Sequence, residues 1–352
     1  MTNSPPFWLR QLTPEDSAAY GTLIINSPDT GAIRVALHFE IDPYTAVMSA
    51  HPNSVGVVAE TSEYDGFIGS GLLRLGQCQW QDTVSPYALL NTLVVHPDFR
   101  RRGVASQLAK WREEYAYQRF GEEGVTFAMI QKNNIGSELT AKKWYKQFLP
   151  DRMMIIPMKL RAAPPAQMNE FIMRAIEPSE FEAVAAKQNQ FYKNYNLYLP
   201  ETWESLMSWC AETPFETPFH HYFVVTDRSK NILAGLGLSE NCRLRRLLIT
   251  HVPKMLEIMN KFLNVLPADR IIRELNLSRI WFAPGQLKAA QYLFETVRWE
   301  WRDKGTSLVV FSDTHSPAIQ IYGIRPWTIK SMGGVALRCP TNISEDRLIY
   351  YA

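Results

Sequence analysis

Arg100, Arg101 and Arg102 stand directly before Gly103, Val104, Ala105 and Ser106, and this run carries the clearest chemistry in the chain. Arginine presents forked donors that match phosphate oxygens, and it stays charged at any cellular pH. The small residues that follow would let an oxyanion approach the backbone. If a helix begins there, its first amides have no internal acceptors and lie at the positive end of the helix dipole, which suits a phosphate. Together the parts describe a pyrophosphate cradle. The bland alternative is a solvated basic turn.

The elements that would position this run are legible on both sides of it. Leu93, Val94 and Val95 close an apolar stretch that begins near Leu89, and Pro97 stops strand pairing. Val104, Leu108, Trp111 and Tyr115 then recur at helical spacing, predicting a helix from near Gly103 to about Phe120. A buried strand follows over residues 125–130. Strand, helix, strand in that order predicts a parallel pair with a right-handed crossover. Asn133, Asn134 and Gly136 mark a turn into a last helix that Ser137 can cap. Upstream, residues 7–12 read as a strand, and Thr13, Pro14, Glu15 and Asp16 open a helix that reaches about Asn26. A loop runs over residues 27–31. Residues 33–50 look mainly helical, broken at Asp42 and Pro43. Residues 55–60 and 67–75 read as paired strands, in which Gly69 and Gly71 read as plain sheet packing, with close backbone packing or a bulge near the substrate as the alternative. A polar connection over residues 77–86 leads to the strand that begins at Tyr87.

With strand, proline, arginines, glycine and helix in this order, the stretch resembles the Gcn5-related N-acetyltransferase (GNAT) superfamily. That superfamily's signature is Q/R-x-x-G-x-G/A after a strand ending in V-x-P. The resemblance implies an acetyl-CoA cosubstrate whose pyrophosphate sits on residues 100–106 and whose pantetheine arm pairs with Leu93, Val94 and Val95. It also implies an asparagine after the next strand and a tyrosine on the last helix, best matched by Asn133 and Tyr145. Tyr145 lies further past the asparagine than the pattern usually allows. A phenol of pKa about 10 can protonate a leaving thiolate near 8.5, so Tyr145 is the candidate acid, with helix packing as the alternative role. A backbone amide near Val95 would bind the developing oxyanion. Residues 33–50 would form one wall of the acceptor site, where His38, Glu40, Asp42 and Tyr44 are the polar candidates. No carboxylate or imidazole lies over residues 89–95 to act as base. His96, Glu40 and a water relay all stay open.

Composition bounds the rest. The 352 residues suffice for two domains of ordinary size, each with its own core, and 46% hydrophobic with 20% charged residues is a globular balance. The net charge of +2 argues against a nucleic-acid partner. No apolar run approaches the roughly 18 residues of a membrane span, and residues 1–6 lack the basic head and apolar core of a signal peptide, so no membrane partner and a cytoplasmic location are expected. Cys78, Cys210, Cys242 and Cys339 form no C-x-x-C pair, so neither metal nor disulfide is expected.

Prolines and small residues at 161–168 read as a connector. Beyond it the chain repeats in outline. Residues 173–180 echo 9–16, residues 222–227 and 232–237 echo the first paired strands, and residues 279–284 parallel the strand ending at Pro97. Residues 308–311 parallel 127–130, and Ala318 and Tyr322 repeat the spacing of Ala141 and Tyr145. Aligning Pro284 on Pro97 sets residues 287–292 opposite residues 100–105, so the arginines and the glycine are gone. Arg243, Arg245 and Arg246 read as a solvated face, and the aromatic residues at 191–198 as core.

The expected fold is therefore α/β with a mixed α+β sheet. It comprises an acetyl-CoA-binding GNAT domain at 1–160, a linker at 161–168 and a degenerate GNAT-like domain at 169–352. The expected activity is acetyl transfer from acetyl-CoA to an amine on a small molecule or peptide, with no metal. A longer acyl donor or an aminoacyl-type acceptor is a variant of this reading, and a non-catalytic acyl-CoA-binding or assembly module is its rival. Assembly as a homodimer stays open.

Overall fold

The computed structural model describes residues 7–28, 34–263, 266–326, 328–344 and 346–351. Residues 1–6 and part of the loop after Ser27 lie outside them. The first half begins with β1 (Trp8–Gln11), α1 (Ser17–Ile25), β2 (Arg34–Phe39) and α2 (Pro43–Ala50). Three antiparallel strands follow, β3 (Ser54–Thr61), β4 (Tyr64–Trp80) and β5 (Thr83–Val95). Next come α3 (Val104–Phe120), β6 (Val125–Gln131), α4 (Ile135–Ala141) and β7 (Gln147–Lys159).

The second half opens with β8 (Ile172–Ala175), α5 (Phe181–Tyr192), β9 (Tyr195–Asn196), α6 (Trp203–Ala211), β10 (His220–Thr226) and β11 (Ile232–Ser239). It continues with β12 (Arg245–His251), α7 (Lys254–Leu263), β13 (Ile271–Ile272), β14 (Glu274–Phe282) and α8 (Leu287–Glu300). It closes with β15 (Ser307–Asp313), β16 (Ser331–Arg338) and β17 (Leu348–Ile349).

One mixed sheet carries the order β1-β3-β4-β5-β6-β16-β7-β15-β14-β11-β10-β8. The order is mirrored. Read inward from either edge, each half lays down its strands in sequence, and the two halves then trade their last one. β7 pairs with β15 and β16, while β16 takes the place beside β6. The expectation of two separate cores is therefore corrected: residues 161–168 are irregular chain, but the sheet runs unbroken across the division. Arg152 of β7 and Asp313 of β15, both buried, form an ion pair across this exchange at 2.6 Å. The mirrored edges match in detail as well. Arg10 of β1 pairs with Asp16 at 2.6 Å, and Arg174 of β8 donates to Glu180 at 2.7 Å, each tying the strand to the turn that follows.

Two local expectations change. Residues 34–39 form a strand, because β12 from the other half pairs with them from Arg245 opposite Phe39 to Ile249 opposite Val35. A short apolar run does not by itself separate strand from helix, and here a distant partner decided. The polar connection at 77–86 is the tip of a long hairpin, with Trp80 opposite Thr83 and its indole buried.

Candidate active site

β5 pairs with β6 only over Tyr87, Ala88 and Leu89, and beyond that the two strands diverge. On its other edge β5 follows β4 to Val95, with Thr92 bulged at φ 37° between Leu93 opposite Gly71 and Asn91 opposite Leu72. The His96 amide donates to the Ile68 carbonyl at 3.0 Å. Antiparallel pairs alternate, so Val94 bonds with Ser70, while the N–H and C=O groups of Leu93 and Val95 turn away from β4 into the gap. No strand pairs with them there. Among the described residues, the result is a strand edge with no partner strand, facing an opening, with its Val95 carbonyl taken up by Arg100.

Arg112 of α3 holds the bulge in place. Its Nη1 donates to the carbonyls of Leu72, at 3.0 Å, and Asn91, at 2.7 Å, and its Nε to Leu108 at 3.3 Å. Burial pushes the guanidinium pKa down to about 10, which still leaves it charged at neutral pH. Gly71 admits this side chain, since a Cβ there would stand 2.9 Å from Arg112 Nε. A Cβ on Gly69 would likewise meet Val104 and Leu108. Both glycines thus let α3 press onto the sheet.

The expected cradle stands at the mouth of the gap. Gly103 caps α3 with φ 87°, and a Cβ built on it would meet nothing within 4 Å. Helical bonding begins with the Gln107 amide on the Gly103 carbonyl at 3.1 Å. The amides of Val104, Ala105 and Ser106 therefore have no acceptor within the helix. Arg100 folds back, its Nε donating to the Val95 carbonyl at 3.2 Å. Arg102 lies over Phe99 at 4.8 Å and reaches Glu63 at 3.5 Å. Arg101 is exposed. A fourth cation, Lys143, comes from beyond α4 and donates to Ser106 Oγ at 2.9 Å.

Three spaces adjoin this edge. A cavity of about 200 Å³ fills the gap beneath α3 and α4, with Asn91, Arg112, Asn134 and Trp144 on its wall. It shares Ala109, Thr140 and Trp144 with an open groove of about 550 Å³ between the same two helices. It shares Thr92 with a chamber of about 200 Å³ enclosed by α1, α2, β2 and β12. That chamber is lined mainly by apolar residues, with His51 and Arg245 among the exceptions. Burial, followed by the charges of Arg245 and Arg74, pushes the His51 pKa down to about 3, so its imidazole is neutral. The Asn91 amide lies 3.3 Å from the ring nitrogens of His51, and Asn91 Oδ1 accepts the Thr92 N–H at 2.9 Å.

Several candidates are placed elsewhere. Asn133 is exposed in a left-handed conformation at φ 69°; Asn134 lines the gap and caps α4, accepting the Ser137 amide at 3.1 Å. That bond reverses the expected cap, with Ser137 as donor. Tyr145 lies past the end of α4, its ring stacked on Phe148 at 5.6 Å; the neighbouring Trp144 lines the cavity instead. His96 packs against the rings of Tyr64 and Phe99. Glu40 is tied to Arg246 at 2.8 Å, and Asp42 caps α2 through the Thr45 amide at 2.9 Å. His38 is exposed, and Tyr44 packs into the first-half core. None of these lines the chamber. His51, Asn91, Arg112, Trp144 and Arg245 gave no local signal; burial against distant elements makes them matter. Arg245 in particular leaves the solvated face expected of it.

The second half carries the same architecture with its spaces filled. Arg279 bulges from β14 at φ 53°, as Thr92 does from β5. Its guanidinium pairs with Glu201 at 2.9 Å and lies over Trp209 at 4.2 Å. β14 and β15 pair in parallel over Glu274 to Leu277 and then part. The opening is packed with Tyr192, Tyr195, Tyr322, Tyr350 and Tyr351, and only about 20 Å³ remains. Tyr192 donates its hydroxyl to the Ile280 carbonyl, and Tyr350 N–H to the Asn196 carbonyl at 2.9 Å. One sequence alignment is corrected here. α8 starts at Leu287, three residues after Pro284, whereas α3 starts seven after Pro97. Gly285, at φ 77°, keeps the glycine of the turn, and the arginine loop is what is missing.

Residues 28–146 match the model of the acetyltransferase (GNAT) family. No curated protein is similar enough in sequence to match. Among solved structures, N-myristoyltransferase of Saccharomyces cerevisiae with bound myristoyl-CoA matches with TM-score 0.62 and 10% identity, over 96% of this chain and 80% of that one. A GCN5-related N-acetyltransferase from Sphaerobacter thermophilus matches with TM-score 0.56 and 14% identity, over 98% and 100%. A tandem GNAT protein of the clavulanic acid biosynthesis pathway matches with TM-score 0.56 and 12% identity, over 96% and 100%. At these identities the likeness is one of fold.

Proposed function

We propose, from the membership of this chain in the Gcn5-related N-acetyltransferase superfamily, that it transfers an acetyl group from acetyl-CoA to an amine. The observation that carries this reading is the free edge of Leu93 and Val95. Leu93 lines a cavity that shares Thr92 with the chamber, and Ala109, Thr140 and Trp144 with the groove that reaches Ser106. The amides of Val104, Ala105 and Ser106, with Arg101, Arg102 and Lys143 around them, hold the pyrophosphate. Leu93 and Val95 pair with the amide-bearing arm as a strand would, and the Leu93 or Val95 amide receives the thioester oxygen as it becomes negative.

The acceptor amine attacks from the chamber and must be neutral to do so. The surroundings that keep His51 neutral also disfavour an ammonium there, which lessens the need for a strong base. As the carbon–nitrogen bond forms and the carbon–sulfur bond breaks, the amine sheds a proton and the thiolate gains one. Tyr145 is the candidate acid by resemblance. Tyr145 does not line the cavity, whereas Trp144 does, and this favours direct transfer of the amine's own proton.

Residues 169–352 act as a degenerate copy of the domain at 1–160, with 161–168 as linker. Supporting this are the mirrored strand order, the matching bulges and an opening already filled with tyrosines. Residues 169–352 also supply one wall of the acceptor chamber through Arg245 and Leu247. The test is thiol release from acetyl-CoA with and without a panel of amines. Release that depends on the amine supports transfer. Calorimetric binding with no release under any amine supports the acyl-CoA-binding module instead.

A further inference from the structure

Among the described residues, Arg245 is the one charged side chain that lines the chamber. Of the groups around it, His51 is neutral and burial raises the Tyr20 phenol to about 12, while Arg74 acts on His51 as a second positive charge. The Arg245 guanidinium has no hydrogen bond or ion pair among the described residues, whereas Arg246 beside it pairs with Glu40 and Arg243 with Glu240. Glu274 feels the Arg245 charge but forms no ion pair with it. The hydroxyl of Ser27, which also lines the chamber, is buried and without a partner among the described residues. A half-buried guanidinium with no partner among the described residues, facing a mainly apolar space, is suited to receive an anion.

We propose that the acceptor is a small amine that also carries a carboxylate and an apolar side group, its carboxylate seated on Arg245. This rests on the acyltransferase reading above. A carboxylate matches one guanidinium in charge and in its two-pronged geometry, whereas a phosphate dianion would leave one charge uncompensated. Val35, Leu37, Val47 and Leu247 offer the side group an apolar wall. A volume of about 200 Å³ falls below the roughly 300 Å³ at which drug-sized pockets begin, which excludes a bulky acceptor. Arg245 comes from β12 of the second half, so that half helps to select the substrate.

The test compares leucine, leucinamide and isopentylamine as acceptors, with wild type, Arg245→Met and Arg245→Lys. Wild type is expected to favour leucine over leucinamide by about 30-fold or more in kcat/KM, the scale of one charge-assisted pair. Arg245→Met should abolish that preference through KM for leucine, Arg245→Lys should restore part of it, and acetyl-CoA binding should stay unchanged in both. Faster turnover of isopentylamine or leucinamide by wild type would overturn the proposal and leave the acyltransferase reading standing. Titration of N-acetyl-leucine into each protein reads the anion site without turnover. Binding that Arg245→Met removes supports the site even if no amine releases thiol, in which case only the acyltransferase reading fails. Absence of binding together with absence of a leucine preference overturns the proposal.

Discussion

Replacing Gly103 tests the cradle most directly, because the structure separates its effect on folding from its effect on binding. At φ 87° any other residue is strained, by roughly 1–2 kcal/mol. A side chain there meets no neighbour, so no packing cost adds to the strain. The melting temperature should therefore fall only about 1–3 °C for one 352-residue unfolding unit, and equally for Gly103→Ala and Gly103→Trp. Binding should separate the two variants. An indole at Gly103 projects over the first turn of α3 and covers the amides that would hold the pyrophosphate. Losing two charge-assisted hydrogen bonds, at roughly 1.5–3 kcal/mol each, weakens acetyl-CoA by about 100-fold or more. Alanine should weaken it far less. Calorimetric titration of acetyl-CoA, with a thermal melt of each variant, reads both quantities. Undiminished binding by Gly103→Trp would refute the cradle, and an equal loss in both variants would trace the effect to backbone strain alone.

Arg112→Met leaves the carbonyls of Leu72 and Asn91 without their donor, at roughly 1–3 kcal/mol each, partly offset by no longer burying a cation. A net loss of about 2 kcal/mol in urea titration, together with weaker acetyl-CoA binding, is expected. Asp313→Asn strips Arg152 of its buried partner and should cost roughly 3–5 kcal/mol. Because the halves exchange strands, calorimetry should show one shared unfolding transition that moves down, and two independent transitions would contradict the shared sheet. His51 and His220 are both held near pKa 3 by burial, against an unfolded value of about 6.5. Below 6.5 the unfolded chain binds protons that the folded chain refuses, so this stability is fully present above pH 6.5 and drains away as the pH falls toward 3. At pH 5 the loss is at most about 2 kcal/mol per imidazole, and His51→Gln should flatten the slope of stability against pH. Tyr145→Phe should keep most of kcat, whereas Trp144→Ala, on the cavity wall, should raise KM for acetyl-CoA; a collapse of kcat in Tyr145→Phe would restore the phenol as the acid.

The turn and the helix start at residues 100–106 were legible in the sequence because their physics is local. A glycine before a helical repeat, a proline after an apolar run and consecutive arginines fix a turn and its charge within a few residues. α3 accordingly begins and ends where its apolar spacing predicts. Much of the order of strands and helices in each half was legible for the same reason. What lay outside local reach was every feature made by residues far apart in the chain. The pairing of β2 with β12 turned an expected helix into a strand and brought Arg245 into the chamber. The traded strands β7 and β16 join the two halves into one sheet, which no spacing within either half could reveal. His51 and Arg112 owe their shifted proton affinities to enclosure, and enclosure depends on which surfaces meet. Sequence by itself determined the arginine-glycine turn and the start of α3, because hydrogen-bonding geometry and helix polarity act over a few residues. Only the tertiary structure decided where the acceptor chamber lies and what charge faces it, because burial and strand pairing are properties of the whole chain.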